Sequence, residues 1–169
     1  MSWDEVGESL CPVARSLAVL GDRWTLLIVR ELFLGTRRFD AFQAQTGMSS
    51  HLLSLRLKRL EDDGVVERRP YQTRPHRYEY RLTAKGKDLH GVVLALRAWG
   101  LRWYGPDPAV GPAVQLIHTV CGGEVGSASI CVHCGEPLHA RTVEAKFSDA
   151  YAAEREARRA SSASAKPAT

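Results

Sequence analysis

Near its C-terminal end the chain reads HTVCGGEVGSASICVHCG over residues 118–135. His118 and Cys121 stand three apart, as do Cys131 and Cys134, and Gly122 and Gly135 follow the two pairs directly. Thiolate sulfur and imidazole nitrogen at this spacing suit a tetrahedral divalent ion, zinc first of all. Glycine after each pair frees the backbone to turn its N–H groups toward the thiolates. Three cysteines cannot fill a four-coordinate site, so His118 is read as the fourth ligand, with His133 and His139 as competitors. A catalytic zinc keeps one position open and needs a base nearby. Here four ligands are at hand and the intervening loop offers only Glu124. The reading is one structural zinc per chain and no enzyme. Three ordinary reduced thiols, or a Cys131–Cys134 redox pair, are the alternatives.

A second group of residues suits binding rather than bond-making. Residues 51–87 hold ten Lys/Arg against five Asp/Glu, whereas the rest of the chain is nearly balanced within a net charge of +4. A surplus confined to one window is what a phosphate-facing surface requires, although a solvated surface has the same composition. Within it Ser49, Ser50, His51 and Ser54 offer donors to base edges or phosphates. Arg56, Lys58 and Arg59, followed by the wing arginines Arg74 and Arg77, offer positive charge that neutralises phosphate, and Arg74 or His76 suits the adjacent minor groove. Leu55 stands on the same side and suits a thymine methyl or the sugar backbone.

The elements that must position these groups follow from the hydrophobic spacing. In CPVARSLAVLG, Pro12 opens a helix, with Val13, Leu17 and Leu20 at helical intervals and Gly21 as the stop. DRWTLLIVRELFLG is a second helix, capped by Asp22, with Trp24, Leu27, Ile28 and Leu32 along one side. RRFDAFQAQTG gives a short third helix with Phe39 and Phe42 facing inward. MSSHLLSLRLKRLEDDG gives a fourth, capped by Ser49 or Ser50, with Leu53, Leu57 and Leu60 as its buried stripe. The third and fourth helices meet at TGMS, which is a helix-turn-helix. VVERR, a turn in PYQTRP and HRYEYRL then form a basic hairpin, with Tyr78, Tyr80 and Leu82 on one face and Arg68 and Arg69 at its base.

TAKGKDLHGVVLALRAWGLRWYG reads as the longest helix. Leu89, Val92, Leu96, Trp99 and Trp103 recur at alternating intervals of three and four, which is heptad spacing. Such a seam either packs on its own domain or meets a second copy. GPDPAVGP (105–112) reads as a linker, SDAYAAEREARRA as a weakly docked helix and SSASAKPAT as a disordered tail. The expected organisation is a winged helix-turn-helix and dimerisation domain over 1–104, the linker, a zinc-ribbon-like module over 113–147, and the helix and tail over 148–169. The fold class is mainly α with a small β wing, plus a small β zinc ribbon.

The run from Cys11 through Tyr71, followed by YEYRLTAKG, resembles the HxlR-type family of bacterial transcriptional regulators, from about residue 10 to residue 104. The resemblance implies a dimeric winged helix on a palindromic DNA operator, with the N-terminal and post-wing helices at the interface. It also implies that residues 49–59 read the major groove and that residues 71–77 form the wing. Ser50 and Leu55 stand where the family often has Pro and a polar residue, a departure that bears on operator preference. Cys11 matches a family cysteine that senses oxidants or electrophiles in some members. A thiolate at a helix N-terminus is favoured by the dipole, and Arg15 lies one turn on. A small capping or buried residue is the alternative role.

No segment approaches the roughly 20 apolar residues that span a bilayer, and the acidic, polar start MSWDEVGESL is unlike a secretory signal. A cytoplasmic location without membrane contact is expected, where clustered Cys bind metal more often than they form disulfides. The functional reading is a homodimeric, sequence-specific regulator on double-stranded DNA. The rival is a thiol- or zinc-based redox switch or oxidoreductase for which DNA is incidental.

Overall fold

In a computed structural model of the chain, residues 5–105, 111–126 and 128–164 are described. They form two compact units, Met1–Gly86 and Lys87–Thr169. The first holds a 3-10 turn at Glu5–Glu8, α1 (Pro12–Leu20), α2 (Thr25–Phe33), α3 (Phe39–Thr46), α4 (Ser50–Asp62), β1 (Val66–Thr73) and β2 (His76–Leu82). A short α5 (Ala84–Lys87) leads into the second, which holds α6 (His90–Tyr104), β3 (Val114–His118), β4 (Val143–Phe147) and α7 (Asp149–Ser164).

The core of the first unit is supplied by the periodic apolar positions. Ile28, Val29 and Leu32 of α2, Phe42 of α3, and Leu53, Leu57 and Leu60 of α4 are all at most 1 % exposed. Burying side chains of this size stabilises the unit by about 1.5–3 kcal/mol each. Asp22 accepts hydrogen bonds from the Trp24 and Thr25 backbone N–H groups at 2.8 and 3.1 Å, and so satisfies the start of α2. Gly47 stops α3 in the left-handed region, at φ 71°. Ser49 caps α4, its hydroxyl accepting from the Leu52 N–H at 3.3 Å. The fully buried Glu31 accepts from Thr36 Oγ1 at 2.8 Å and pairs with Arg30 at 2.7 Å. That contact fixes the loop ahead of α3, and the Tyr80 N–H donates to Arg37 O in the same loop at 2.8 Å.

β1 and β2 pair antiparallel from Val66–Leu82 to Thr73–His76. β1 runs further than the sequence suggests, through PYQT, and only Arg74 and Pro75 turn the chain. The register shifts between Pro70 and Gln72, where a residue lacking an N–H is tolerated. Expected as one helix, TAKGKDLHGVVLALRAWGLRWYG is broken after Lys87. A Cβ on Gly86 would lie 2.1 Å from the Val65 carbonyl oxygen, so this backbone packs directly on the end of the hairpin.

In the second unit β3 and β4 form an antiparallel pair, from Val114–Phe147 to His118–Val143. α7 is the longer helix, 16 residues against 15 for α6. It enters the stretch expected to be disordered, ending at Ser164, whose hydroxyl donates back to Ala160 O at 3.2 Å. Arg155 of α7 is buried, its guanidinium 5.0 Å from the Phe147 ring centre and 5.7 Å from that of Tyr151. The centre of the linker expected over 105–112, residues 106–110, lies outside the described residues, as does the end of the tail, 165–169. α6 shares a unit with the Cys/His module, a different division from the boundary expected after residue 104. No helix among the described residues is long and apolar enough to cross a membrane.

Candidate nucleic-acid interface and metal centre

α4 has two faces. Leu53, Leu57 and Leu60 point into the core, while Ser50, His51, Ser54, Leu55 and Lys58 are exposed on the opposite side. The exposed residues recur at intervals of one, three, one and three, which on a 3.6-residue helix is a single outward stripe. Ser49, used as the cap, keeps its O–H free to donate outward. At the hairpin tip Arg74, His76 and Arg77 are exposed, and no ion pair engages either arginine among the described residues. Gln72 Nε2 donates to Arg74 O at 2.9 Å and helps to hold the tip.

The other basic residues are more occupied. Arg56 lies 3.4 Å from Asp22 Oδ1, at the start of α2. Arg59 donates to Ala18 O at 2.8 Å and lies 3.8 Å from Asp63. Lys58 pairs with Asp62 at 2.5 Å, one turn along α4. Arg68 lies over the Tyr78 ring at 4.4 Å and reaches Glu61 at 3.8 Å, and Arg69 pairs with Glu67 at 2.6 Å. Exposed pairs of this kind are weak in water and give way to a phosphate. Arg56 is the most constrained of them, its side chain only 27 % exposed. Arg38, which sequence reading passed over, is exposed and lies 4.8 Å above the Tyr71 ring. No periodic signal marks it, because it stands in the loop before α3.

In the second unit the structure brings His118, Cys121, Cys131 and Cys134 together, their ligand atoms all within 4.8 Å of one another. His133 and His139 are not among them. A Cβ on Gly123 would lie 2.3 Å from the His133 ring, so His133 packs against that glycine instead. Two matching turns build the site. The Gly122 N–H donates to His118 O at 2.7 Å and the Gly135 N–H to Cys131 O at 2.8 Å. Both glycines have left-handed φ, 73° and 77°, which a side chain would strain.

His118 Nδ1 lies 3.4 Å from both Cys121 Sγ and Cys134 Sγ, and Cys121 Sγ lies 3.6 Å from Cys131 Sγ. Zinc bonds of ordinary length in a tetrahedron give S···N edges of about 3.5 Å and S···S edges of about 3.8 Å. The donor set and its spacing therefore fit a closed Cys3His zinc site. Cys131 is held down to about 6, first by the His133 backbone N–H, then by those of Cys134 and the neighbouring thiols, against the opposing effect of burial. For Cys134 the Glu136 backbone N–H lowers the thiol, but burial and the two other cysteines raise it on balance. A group that shares negative charge in this way is ready to receive a cation.

Cys131 is also part of the core of its unit, with Leu94, Val125 and Leu138, and with Leu116 and Val143 packed against them. Sequence reading missed Leu94. The stripe His90, Leu94, Arg97 was legible at intervals of four and three, but the heptad seam beside it is the stronger pattern. That seam is exposed in the single chain: Val92 by 41 %, Leu96 by 46 %, Trp99 by 55 % and Trp103 by 62 %. α1 likewise exposes Val13 and Leu17 and buries only Leu20. Cys11 is exposed at the N-cap of α1, so it is not a buried residue, and its side chain makes no capping hydrogen bond.

Among known families, the model of the HxlR-like helix-turn-helix family matches residues 19–108. The chain is 44 % identical over 137 residues to the uncharacterized HTH-type transcriptional regulator Rv3095 of Mycobacterium tuberculosis, covering 81 % of this chain and 84 % of that one. It is 35 % identical over 107 residues to the HTH-type transcriptional regulator YodB of Bacillus subtilis, covering 62 % and 96 %. Among solved structures, that of PA1607 superposes with a TM-score of 0.65 at 36 % identity, over 82 % of this chain and 95 % of the other. The redox regulator HypR in its reduced form superposes with a TM-score of 0.52 at 33 % identity, over 54 % and 92 %.

Proposed function

The chain belongs to the HxlR-like helix-turn-helix family, whose relatives are transcriptional regulators, and from that premise we propose a homodimer that binds a palindromic operator through α4 and the hairpin. The observation that carries this reading is the outward stripe of α4, all donors and one leucine, beside a wing tip with two free arginines. Ser49, Ser50, His51 and Ser54 enter the major groove and address base edges or phosphates. Arg56, Lys58 and Arg59 lie along the phosphates. Arg74, His76 and Arg77 reach the adjacent minor groove or its backbone. Two copies join through the exposed α6 seam and the apolar side of α1. A two-fold dimer places its recognition helices on successive major-groove faces, about 34–36 Å apart. Hydroxyl-radical footprinting of the chain on its own promoter tests this, and is expected to show two protected half-sites about one helical turn, or a whole number of turns, apart. A single protected patch would argue against the dimer.

The Cys/His cluster holds one structural zinc through His118 Nδ1 and three thiolates. Its module has few large apolar side chains of its own, so metal supplies folding energy. Replacing His118 by Ala is expected to remove the ion, whereas His133→Ala and His139→Ala each keep about one per chain. Metal analysis of the three purified variants checks this. Retention of a full equivalent by His118→Ala would assign the fourth ligand elsewhere.

A further inference from the structure

We propose that metal occupancy of the Cys/His cluster controls dimerisation, through the small core that Cys131 shares with Leu94 of α6. The inference rests on reading the cluster as a metal site and adds what the ion does for the regulator.

α6 faces two ways. Its outer side carries the exposed seam of Val92, Leu96, Trp99 and Trp103. Its inner side, His90, Leu94 and Arg97, lies against the module. Leu94 is 2 % exposed, and its core neighbours are Val125, Cys131 and Leu138, with Leu116 and Val143 packed on them. Arg97 donates through Nη2 to Val114 O at 2.9 Å, which ties the helix to β3. Burial, with His139 of the module adding to it, holds the His90 imidazole below its ordinary range.

Those core neighbours are themselves ordered by the ligand turns. Cys131 is at once a ligand and a core residue. The Val125 N–H donates to Leu116 O at 2.7 Å, seven residues past His118, and the Leu138 N–H donates to Ser129 O at 2.8 Å, four residues past Cys134. Once the ion leaves, three thiols and an imidazole have nothing to hold them at tetrahedral distances, and the small core around Cys131 loosens. An α-helix of 15 residues is marginal in water without tertiary packing. α6 then loses the support that keeps the two tryptophans of its seam in register. The metal acts on the dimer without touching it, and the ligand to which the regulator responds is a thiophilic divalent cation such as Zn2+.

Sedimentation velocity of the full-length chain under reducing conditions tests the coupling, comparing protein stripped with a zinc chelator and the same protein given one equivalent of Zn2+. Bound metal is quantified in each sample. The expected result is a dimer dissociation constant at least about tenfold lower with the ion bound. Leu94→Ala is expected to keep its equivalent of zinc yet dimerise at the weak, stripped level whether or not the ion is present. Leu94→Met, which conserves volume, is expected to restore the dependence. Equal dimerisation with and without zinc, while the zinc binds, overturns the coupling and leaves the metal site standing. So does stripped protein that assembles into larger species in place of monomer. Failure to bind zinc at all takes down both.

Discussion

Reversing Arg74 and Arg77 to Glu is expected to weaken operator binding by about a hundredfold or more at physiological salt. Both side chains are exposed at the hairpin tip and neither is tied up in an ion pair among the described residues, so each is free to meet a phosphate. Every phosphate that is no longer neutralised takes close to one unit off the slope of log affinity against log salt. The double variant should therefore bind with a slope shallower by about 2. Because neither side chain supports the core, the thermal stability of the chain should move by no more than about 0.5 kcal/mol. Anisotropy titrations with labelled operator over a range of salt concentrations measure both the affinity and the slope. A wild-type slope in the double variant would remove the wing from the interface.

Replacing Trp99 and Trp103 together by Asp is expected to raise the dimer dissociation constant by about a thousandfold. Tryptophan is the residue type most enriched among interface hot spots, and each truncation of that kind costs about 2 kcal/mol or more. Two carboxylates facing their own copies across a two-fold axis add repulsion. In the single chain these side chains are 55 % and 62 % exposed, so the fold itself does not depend on them. Sedimentation should report a folded monomer at micromolar concentration, with operator affinity reduced because each half-site is then bound alone. A variant that stays dimeric would move the interface elsewhere, to the α1 surface of Val13 and Leu17 first.

Much of the fold was legible because its elements are amphipathic at regular intervals. The α4 stripe of Leu53, Leu57 and Leu60 and the cap at Ser49 are local signals, and the structure has them where the periodicity puts them. The hairpin was legible in kind but not in extent. Pro70 suggested a turn, yet the strand accommodates it at a register shift, which cross-strand pairing decides and sequence spacing does not. The break between α5 and α6 was hidden for a similar reason, since it depends on Gly86 meeting the Val65 carbonyl, 21 positions away.

The candidate sites divide in the same way. The four-residue cluster, His118 included, was readable from ligand spacing, with His133 and His139 as competitors; the packing of His133 on Gly123 was not. The seam of α6 was readable as a heptad, while its exposure and the opposite role of Leu94 were not. Periodicity shows that a helix has an apolar face and not what the face meets. Nor did spacing reveal that Arg56 is held by Asp22, because Arg56 stands on α4 and Asp22 in the turn before α2, 34 positions away.

Sequence recognition by the chain can be separated from charge-driven binding in one comparison of two duplexes. Purified full-length chain, loaded with zinc, is titrated against its own promoter region and against a scrambled duplex of the same length and base composition, at about 0.15 M salt. Direct readout by α4 predicts a preference for the promoter of about a thousandfold or greater. Equal affinity for the two duplexes would mean that charge alone drives the binding and that the chain is not a sequence-specific regulator.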